Sequence, residues 1–479
     1  MAKKFYITTT APYVNSDPHI GFALEIIQAD VIARYHQLLG EEVFFNTGTD
    51  EHGVKIYRKA LEAKKDPQDY VDEYAAKFGR LKTALNLSYN HSIRTTDPKH
   101  IAAAQEFWRR SLKNGDIYKK FYKVKYCSGC ELEKTDSELE NGKCPLHPNL
   151  KIDIIEEENY FFRFSKYQKP LLEFYEKHPD FVLPDYRFTE IKNFAKAGLE
   201  DFSVSRLKTK MPWGIDVPGD PKHVMYVWFD ALIFYISSIG WPKKADFEGY
   251  WPGMQVAGKD NLRQQSAIWQ AMLMSAGLPN STQILIHGFI NSGGQKMSKS
   301  LGNVIDPLAL AKKYGTDALR YFLLAKIHPF NDSDFSIQLF EEVYNADLAN
   351  GLGNLVSRVA KLASMCNKKF LTSDWNLTDV EFSDIRENLD KYQFHIALAI
   401  IWSWISNLNQ ALQELAPWKL KDDELYRCLH ENKLNVSFIE DILRIATGLR
   451  PFLPETAKKI EEIFKKDKIQ LGKPLFPRL

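Results

Sequence analysis

Long apolar runs are missing from this chain. No stretch approaches the ~20 consecutive apolar residues that a bilayer-spanning helix needs. The N-terminus passes at once into a β-branched and aromatic segment, not through the apolar core of a secretory signal. A cytoplasmic location with no membrane partner is the expectation. Net charge is almost absent as well: 63 Lys+Arg against 61 Asp+Glu leave +2. A cationic coat for nucleic acid is thereby excluded, and a polyanionic partner would have to be held by local Lys/Arg patches. Internal repeats and low-complexity stretches are also lacking. With 44% hydrophobic and 26% charged residues the composition is that of a soluble protein with a large core, and 479 residues leave room for roughly three domains.

Cysteine is scarce, five in all, yet three of the five cluster with a histidine. Cys127-Ser128-Gly129-Cys130 is followed, after thirteen intervening residues, by Cys144-Pro145-Leu146-His147, a Cys-x2-Cys and Cys-x2-His spacing that suits a tetrahedral structural zinc knuckle. A redox dithiol would account only for the first pair, and a disulfide would be out of place in a cytosolic protein. Four protein ligands leave the metal no open position, so zinc catalysis is not expected here. Cys366 and Cys428 lie in helical patterns and read as buried core.

Two short polar stretches point to nucleotide chemistry. Residues 4–10 form a β-branched and aromatic run that reads as a strand, and a polar loop follows over residues 11–16. Asp17 then offers an N-cap carboxylate and Pro18 suits the first helical position, after which Leu24, Ile27, Val31 and Tyr35 recur at helical spacing. In that strand–loop–helix unit, His19 and the first-turn amides face an anion, and Gly21 allows a ligand close to the backbone. Far downstream, residues 283–290 read as a buried strand and 291–295 as a Gly-rich turn, leading into Lys296-Met297-Ser298-Lys299-Ser300. Two mobile ammonium groups there can close over phosphates and neutralise developing charge.

The layout along the chain is α/β. Strands and helices alternate over residues 1–115; a Cys-containing, Lys/Glu-rich segment interrupts them over 116–224; the alternation returns over 225–335. This predicts a doubly wound, parallel-sheet, Rossmann-type domain split by an insertion that carries the zinc knuckle. From 336 to 479 the pattern is helical, with Leu339, Val343, Leu348, Leu352, Leu355 and Val359 on one segment and Phe394, Ile396, Leu398, Ile401, Ile405 and Leu408 on another, which predicts a helix bundle.

Pro18-His19-Ile20-Gly21 and Lys296-Met297-Ser298-Lys299-Ser300 resemble the two signatures of class I aminoacyl-tRNA synthetases. Thr10-Ala11-Pro12-Tyr13-Val14-Asn15, Gly48-Thr49-Asp50-Glu51-His52-Gly53, Val227-Trp228-Phe229-Asp230-Ala231, Gly258-Lys259-Asp260 and Ala416-Pro417-Trp418 narrow the resemblance to the methionyl family, in order and over essentially the whole chain. The resemblance implies ATP-dependent ligation of methionine to tRNA(Met) through methionyl-adenylate, with Mg2+ accompanying ATP. It implies catalytic roles for His19, Lys296 and Lys299, with ATP also held by Gly21, Gly258, Asp260 and Ser298. By the same resemblance Asp50 pairs with the substrate ammonium, while Tyr13, Trp228, Ala231, Leu232, Tyr235 and Trp269 enclose the side chain. Asn354, Arg358 and Trp418 would read the anticodon, the 116–224 insertion would cover the amino-acid end of the site, and residues 336–479 would be the anticodon-binding domain. A monomer is the expectation, because the chain stops soon after Leu475-Phe476-Pro477, where some family members continue into a dimerising domain.

The chain departs from the family pattern at two places that bear on the mechanism, and Thr10-Ala11 also sit where bulkier side chains are frequent. Phe22 stands where a second histidine usually ends the first signature, which shifts the burden to His19 and the lysines. Gln264 and Gln265 stand where an aromatic and a histidine are usual, and a Gln265 amide N–H could take the imidazole's place as a donor to the thioether. The alternatives are another class I synthetase, which would normally carry a larger insertion, and a decayed synthetase kept as a tRNA-binding module. Intact His19, Asp50 and lysine loop weigh against the latter.

Overall fold

In a computed structural model of the chain, which describes residues 2–130, 132–134, 138–297, 303–366, 368–430 and 436–479, six parallel strands build the central sheet. They are β1 (Lys4–Thr9), β2 (Glu42–Thr49), β3 (His91–Arg94), β4 (Val182–Leu183), β5 (Met254–Gly258) and β6 (Gln283–His287). Their spatial order is β3-β2-β1-β5-β6-β4, and every pair is parallel. Such a sheet is buried on both faces. Ile7, Phe45, Val256 and Leu285 serve one core, and Tyr6, Ala257, Ile284 and Ile286 serve the other. The strand order reverses between β1 and β5, which opens a crevice beyond the carboxyl ends of the strands, where doubly wound folds bind ligands.

Helix α1 (Ile20–Leu38) follows β1 and buries Leu24, Ile27, Val31 and Tyr35, as their spacing requires. Its start differs from the sequence expectation. Asp66, Asp97 and Asp306 each cap a helix that begins on the following proline, but Asp17-Pro18 does not. His19 remains extended and takes the N-cap role itself, because Asp17 is drawn to Lys77 at 2.9 Å and the Ile20 amide donates to the Ile305 carbonyl at 3.0 Å.

Residues 283–290 are likewise not one strand. β6 ends at His287, and Ile290–Ser292 joins a separate three-stranded sheet with Gln295–Lys296 and Ser333–Phe335. Gly288 forces the break: a Cβ there would lie 2.2 Å from the Asn331 carbonyl carbon, so only glycine permits the backbones to cross. Gly293 and Gly294, at φ +63° and +72°, form the two-residue turn of this hairpin.

Between β3 and β5 the chain builds a four-stranded antiparallel sheet in which Ile117–Cys127 pairs with Asp153–Phe162. Beyond the catalytic sheet come α2 (Thr316–Ala325), α3 (Asn354–Ala363), α4 (Phe394–Leu415), α5 (Phe438–Leu449) and α6 (Pro454–Phe464). Leu348, Leu352, Leu355 and Val359 are buried, but Leu339 is exposed. A π-helical stretch, Tyr344–Gly353, follows Leu339 and itself carries Leu348 and Leu352; it shifts the phase of the helix, so Leu339 does not share their face. On α4, Ile396 also faces outward, whereas Phe394, Leu398, Ile401, Ile405 and Leu408 are buried. One continuous apolar core runs from α1 and its face of the sheet into this bundle.

Candidate active site

The floor of the crevice is assembled where β1 and β2 end. The Asp50 amide donates to the Pro12 carbonyl (3.0 Å) and the Val14 amide to the Asp50 carbonyl (3.1 Å), so Tyr13 and Asp50 pair as a parallel bridge past the strand ends. Gly48 is demanded by packing, since a Cβ would sit 1.8 Å from the Ile93 carbonyl oxygen. The next residue after Asp50 is locked: Arg94 grips the Glu51 carboxylate through two bonds of 2.6 and 2.9 Å, and Thr49 and Thr96 hydroxyls donate to it. His52 Nδ1 meets Asp230 Oδ2 at 2.6 Å, and His100 Nε2 meets Asp230 Oδ1 at 2.6 Å. Burial alone would raise the Asp230 pKa, but the two imidazoles hold it below the ordinary carboxylate value. This cluster ties the Asp50 segment to the helix Val227–Leu232.

That helix and the residues after it form an aromatic wall. Ala231, Leu232 and Tyr235 are buried and Trp228 is half-buried. Trp269 is wholly buried behind Tyr235, with ring centroids 5.8 Å apart, and stacks on Phe107. Gln265 sits in a π-helical turn, Gln264–Ile268. Its Nε2 donates to the Tyr235 hydroxyl at 2.6 Å and its Oε1 accepts from Gln255 at 3.2 Å. One of the two N–H groups of the Gln265 amide is thus used on Tyr235, and the tyrosine hydroxyl, accepting that bond, keeps its own proton for another acceptor.

On the other side of the crevice, His19 is exposed at the start of α1 and its Nδ1 accepts from the Gly21 amide at 3.1 Å. Glycine at 21 lets the ring fold over the helix end, where a Cβ would meet it at 2.9 Å. The Ile20–Ile305 bond seats this first signature against the segment that follows the second. Lys296 is described through its backbone only, at the end of the hairpin opposite Asn291, and Ser298 and Lys299 lie outside the described residues. A cavity of about 470 Å³ opens at this seam, lined by Asp17, Pro18, Lys77, Arg80, Val304, Asp306 and Leu308. Gly258 ends β5 and Asp260, two residues on, is exposed. Phe22 packs its ring edge-on against Phe78, an apolar contact in place of a polar one.

The Cys127, Cys130, Cys144 and His147 donor atoms all lie within 4.8 Å of one another. Cys130 Sγ is 3.4 Å from Cys144 Sγ and 3.2 Å from His147 Nδ1. Tetrahedral zinc with ~2.3 Å bonds to sulfur and ~2.0 Å to nitrogen separates its donors by roughly 3.5–3.8 Å, so the four donors fit a metal ion of this kind. Gly129 makes the geometry possible, for a Cβ there would lie 2.5 Å from the His147 ring. The knuckle is anchored to the crevice from two sides, by Lys55 donating to the Gly129 carbonyl at 3.0 Å and by Arg263 pairing with Glu138 at 3.1 Å.

On the bundle, Asn354 and Arg358 lie one turn apart on α3, and the Arg358 guanidinium sits 5.3 Å from the centre of the Trp418 ring. Trp418 is 47% exposed, which sets aside a role as bundle core.

Sequence reasoning did not single out Glu25, His287, Asp230 or His100. Glu25 is 4% exposed; its carboxylate accepts from the Thr10 amide (2.8 Å), the Thr10 hydroxyl (2.5 Å), the Gly258 amide (3.2 Å) and His287 Nε2 (3.1 Å). The available signal was a run of polar residues, Glu25, Gln28 and Asp30, inside a helix that is buried nearly all round.

A family model described as tRNA synthetases class I (M) matches residues 5–151 and 133–360. The chain is similar to the methionine–tRNA ligase of Thermotoga maritima, with 42% identity over 97% of this chain and 75% of that protein. It is also similar to the methionine–tRNA ligase of a Nostoc species, with 39% identity over 96% and 89%. Among solved structures, the methionyl-tRNA synthetase of Mycobacterium tuberculosis bound by methionyl-adenylate superposes with a TM-score of 0.91 at 33% identity, covering 99% of this chain and all of that one.

Proposed function

The chain belongs to the class I methionyl-tRNA synthetases, and from that membership we propose how its residues share the work. The enzyme joins methionine to its tRNA at the expense of ATP, through methionyl-adenylate. Asp50 receives the methionine ammonium group. Tyr13, Trp228, Ala231, Leu232 and Tyr235 surround the side chain, with Trp269 as a second row. Gln265 orients the Tyr235 hydroxyl, so that its proton points to the polarizable thioether. A pocket that only excludes size gains ~1–3 kcal/mol per methylene, and such a hydrogen bond adds discrimination against apolar isosteres.

ATP enters with its magnesium as the substrate complex. Gly258 and Asp260 hold the ribose, and His19, the Gly21 amide and the loop of Lys296, Ser298 and Lys299 face the phosphates. A methionine carboxylate oxygen attacks the α-phosphorus; that O–P bond forms as the bond to the bridging oxygen breaks, and pyrophosphate leaves with the electron pair. The protein's part is alignment and neutralisation of charge. A hydroxyl of the terminal tRNA adenosine then attacks the acyl carbon, and AMP departs.

Cys127, Cys130, Cys144 and His147 would hold a zinc ion, which when bound supplies a rigid cross-link within the 116–224 insertion over the amino-acid end of the crevice. Asn354, Arg358 and Trp418, in the 336–479 bundle, read the anticodon of tRNA(Met), the indole stacking on an unpaired base. The enzyme acts as a monomer in the cytoplasm.

The observation that supports this reading is the bond from the Ile20 amide, at the start of α1, to the Ile305 carbonyl, in the segment that follows the second signature. ATP–pyrophosphate exchange with each amino acid in turn tests it. Exchange should depend on methionine, and exchange driven equally by another amino acid, or by none, would overturn the assignment.

A further inference from the structure

His287 is surrounded by acceptors. Its Nδ1 lies 2.7 Å from the Gly288 carbonyl oxygen and its Nε2 lies 3.1 Å from Glu25 Oε2. A carbonyl and a carboxylate can only accept, so both ring nitrogens must carry protons for both bonds to exist. With Glu25 ionised and both bonds made, the ring is an imidazolium. His287 is 4% exposed, and the Glu25 carboxylate is its counter-charge.

Glu25 does more than balance this charge. One of its oxygens holds Thr10, where the loop to Tyr13 begins, and the other holds the Gly258 amide, where the loop to Asp260 begins. Through His287 it also holds the end of β6, from which the chain runs to the hairpin of Lys296. Three strand ends around the switch point thus converge on one carboxylate of α1, the helix that His19 opens. A Cβ at Gly258 would lie 2.9 Å from Asp260 Oδ1 and in ordinary contact, 3.5 Å, with the His287 ring, so the three groups are close neighbours.

Resting on the function proposed above, we propose that Glu25 and His287 form a charged clamp that fixes the three loops around the nucleotide, which makes protonated His287 a positioning residue for adenylate formation. The clamp touches no reacting atom. Loss of the His287 proton removes one of its two donors and frees either the Gly288 turn or the Glu25 oxygen that steadies Gly258. The charged groups facing the ring are Glu25 from α1 and Asp260 from the loop after β5; Lys259 is turned away to Asp332 at 2.6 Å. Burial opposes the charge most strongly, yet the bond to Glu25 and the Glu25 and Asp260 charges leave the His287 pKa above its ordinary value. Adenylate formation should consequently decline on the alkaline side as this proton is lost.

The test is methionine-dependent ATP–pyrophosphate exchange from pH 5.5 to 9.5 with the wild-type enzyme, His287→Gln and Glu25→Gln. The wild type should show the alkaline decline, His287→Gln should lack it, and Glu25→Gln should lower kcat/KM for ATP by roughly tenfold to a hundredfold while the KM for methionine moves less. An unaltered decline in His287→Gln, or unaltered ATP kinetics in Glu25→Gln, overturns the clamp alone. Absence of exchange in the wild type overturns the clamp together with the functional reading. A measurement that needs no variant is 15N NMR of histidine-labelled wild-type protein. One ring should keep both nitrogens protonated above neutral pH and lose a proton at the midpoint of the kinetic decline; finding every ring neutral at pH 7 overturns the proposal.

Discussion

Arg320 of α2 and Asp30 of α1 form an ion pair at 2.8 Å in which neither side chain is exposed. The same guanidinium donates to the carbonyls of Leu85 (3.1 Å), Pro451 (3.2 Å) and Phe452 (2.7 Å). The last two lie in the turn between α5 and α6, so one side chain ties α1 of the central sheet to the last two helices of the bundle.

Removing one partner of such a pair leaves a buried charge and orphaned carbonyls, a loss of ~3–5 kcal/mol. Arg320→Met should therefore reduce the stability measured by urea unfolding by about that amount. Adding Asp30→Asn should restore part of it, because the neutral amide no longer needs a counter-ion. Equal midpoints for Arg320→Met and wild type would show that the pair is not the junction between the two parts.

Asp30 and Asp230 are both buried, which by itself would raise their pKa values, but Arg320 and Arg34 in one case and His52 and His100 in the other hold them below the ordinary carboxylate value. The stability they confer is complete above about pH 4 and is lost progressively below it, as the folded-state carboxylates take up protons. His287 has the opposite sign: its contribution is complete below about pH 6.5 and is lost as pH rises through its raised pKa. Unfolding free energy measured against pH should decline at both ends, and Asp230→Asn should flatten the acid side. An acid decline as steep as that of the wild type would assign it to other groups.

Chelation tests the knuckle. The purified protein should contain stoichiometric zinc, and its removal by a strong chelator at pH 7 should lower the thermal midpoint and weaken methionine binding, because the Lys55–Gly129 and Arg263–Glu138 anchors depend on the knuckle's shape. Cys144→Ser should reproduce both effects. Metal-free protein with an unchanged midpoint would leave the four donors without a structural role.

At the bundle, Trp418→Ala removes a stacking surface worth ~1–3 kcal/mol per base. The KM for tRNA should rise by roughly fivefold to a hundredfold, with pyrophosphate exchange unaltered. Loss of both activities would place Trp418 in the fold, not in recognition.

Much of this architecture was legible in the chain. Alternating strands and helices announce a doubly wound sheet, the Cys/His spacing announces the donor cluster, and the periodicity of Leu24, Ile27, Val31 and Tyr35 locates the buried face of α1. The misreadings have physical causes that a linear pattern does not carry. Asp17 fails as a cap because Lys77 and Ile305, distant in sequence, compete for the groups involved. Leu339 faces outward because a π-helical stretch changes the phase of an otherwise regular repeat. Residues 283–290 break at Gly288 because another backbone crosses there. Glu25, a common type of helix residue, is identified as a hub only when Thr10, Gly258 and His287 are seen to converge on it, and the same holds for Asp230 between its two histidines.

The central claim is that the two signatures act on one triphosphate, and a double-mutant cycle on His19 and Lys296 tests it most directly. Single-turnover rates of methionyl-adenylate formation would be measured for the wild type, His19→Ala, Lys296→Ala and the double variant. Two groups stabilising the same developing charge should be coupled by more than ~0.5 kcal/mol, whereas independent sites add within about that margin. A clearly non-additive double variant is the predicted result. Strict additivity, with each single variant impaired, would mean that the two residues serve separate sites and would contradict the account.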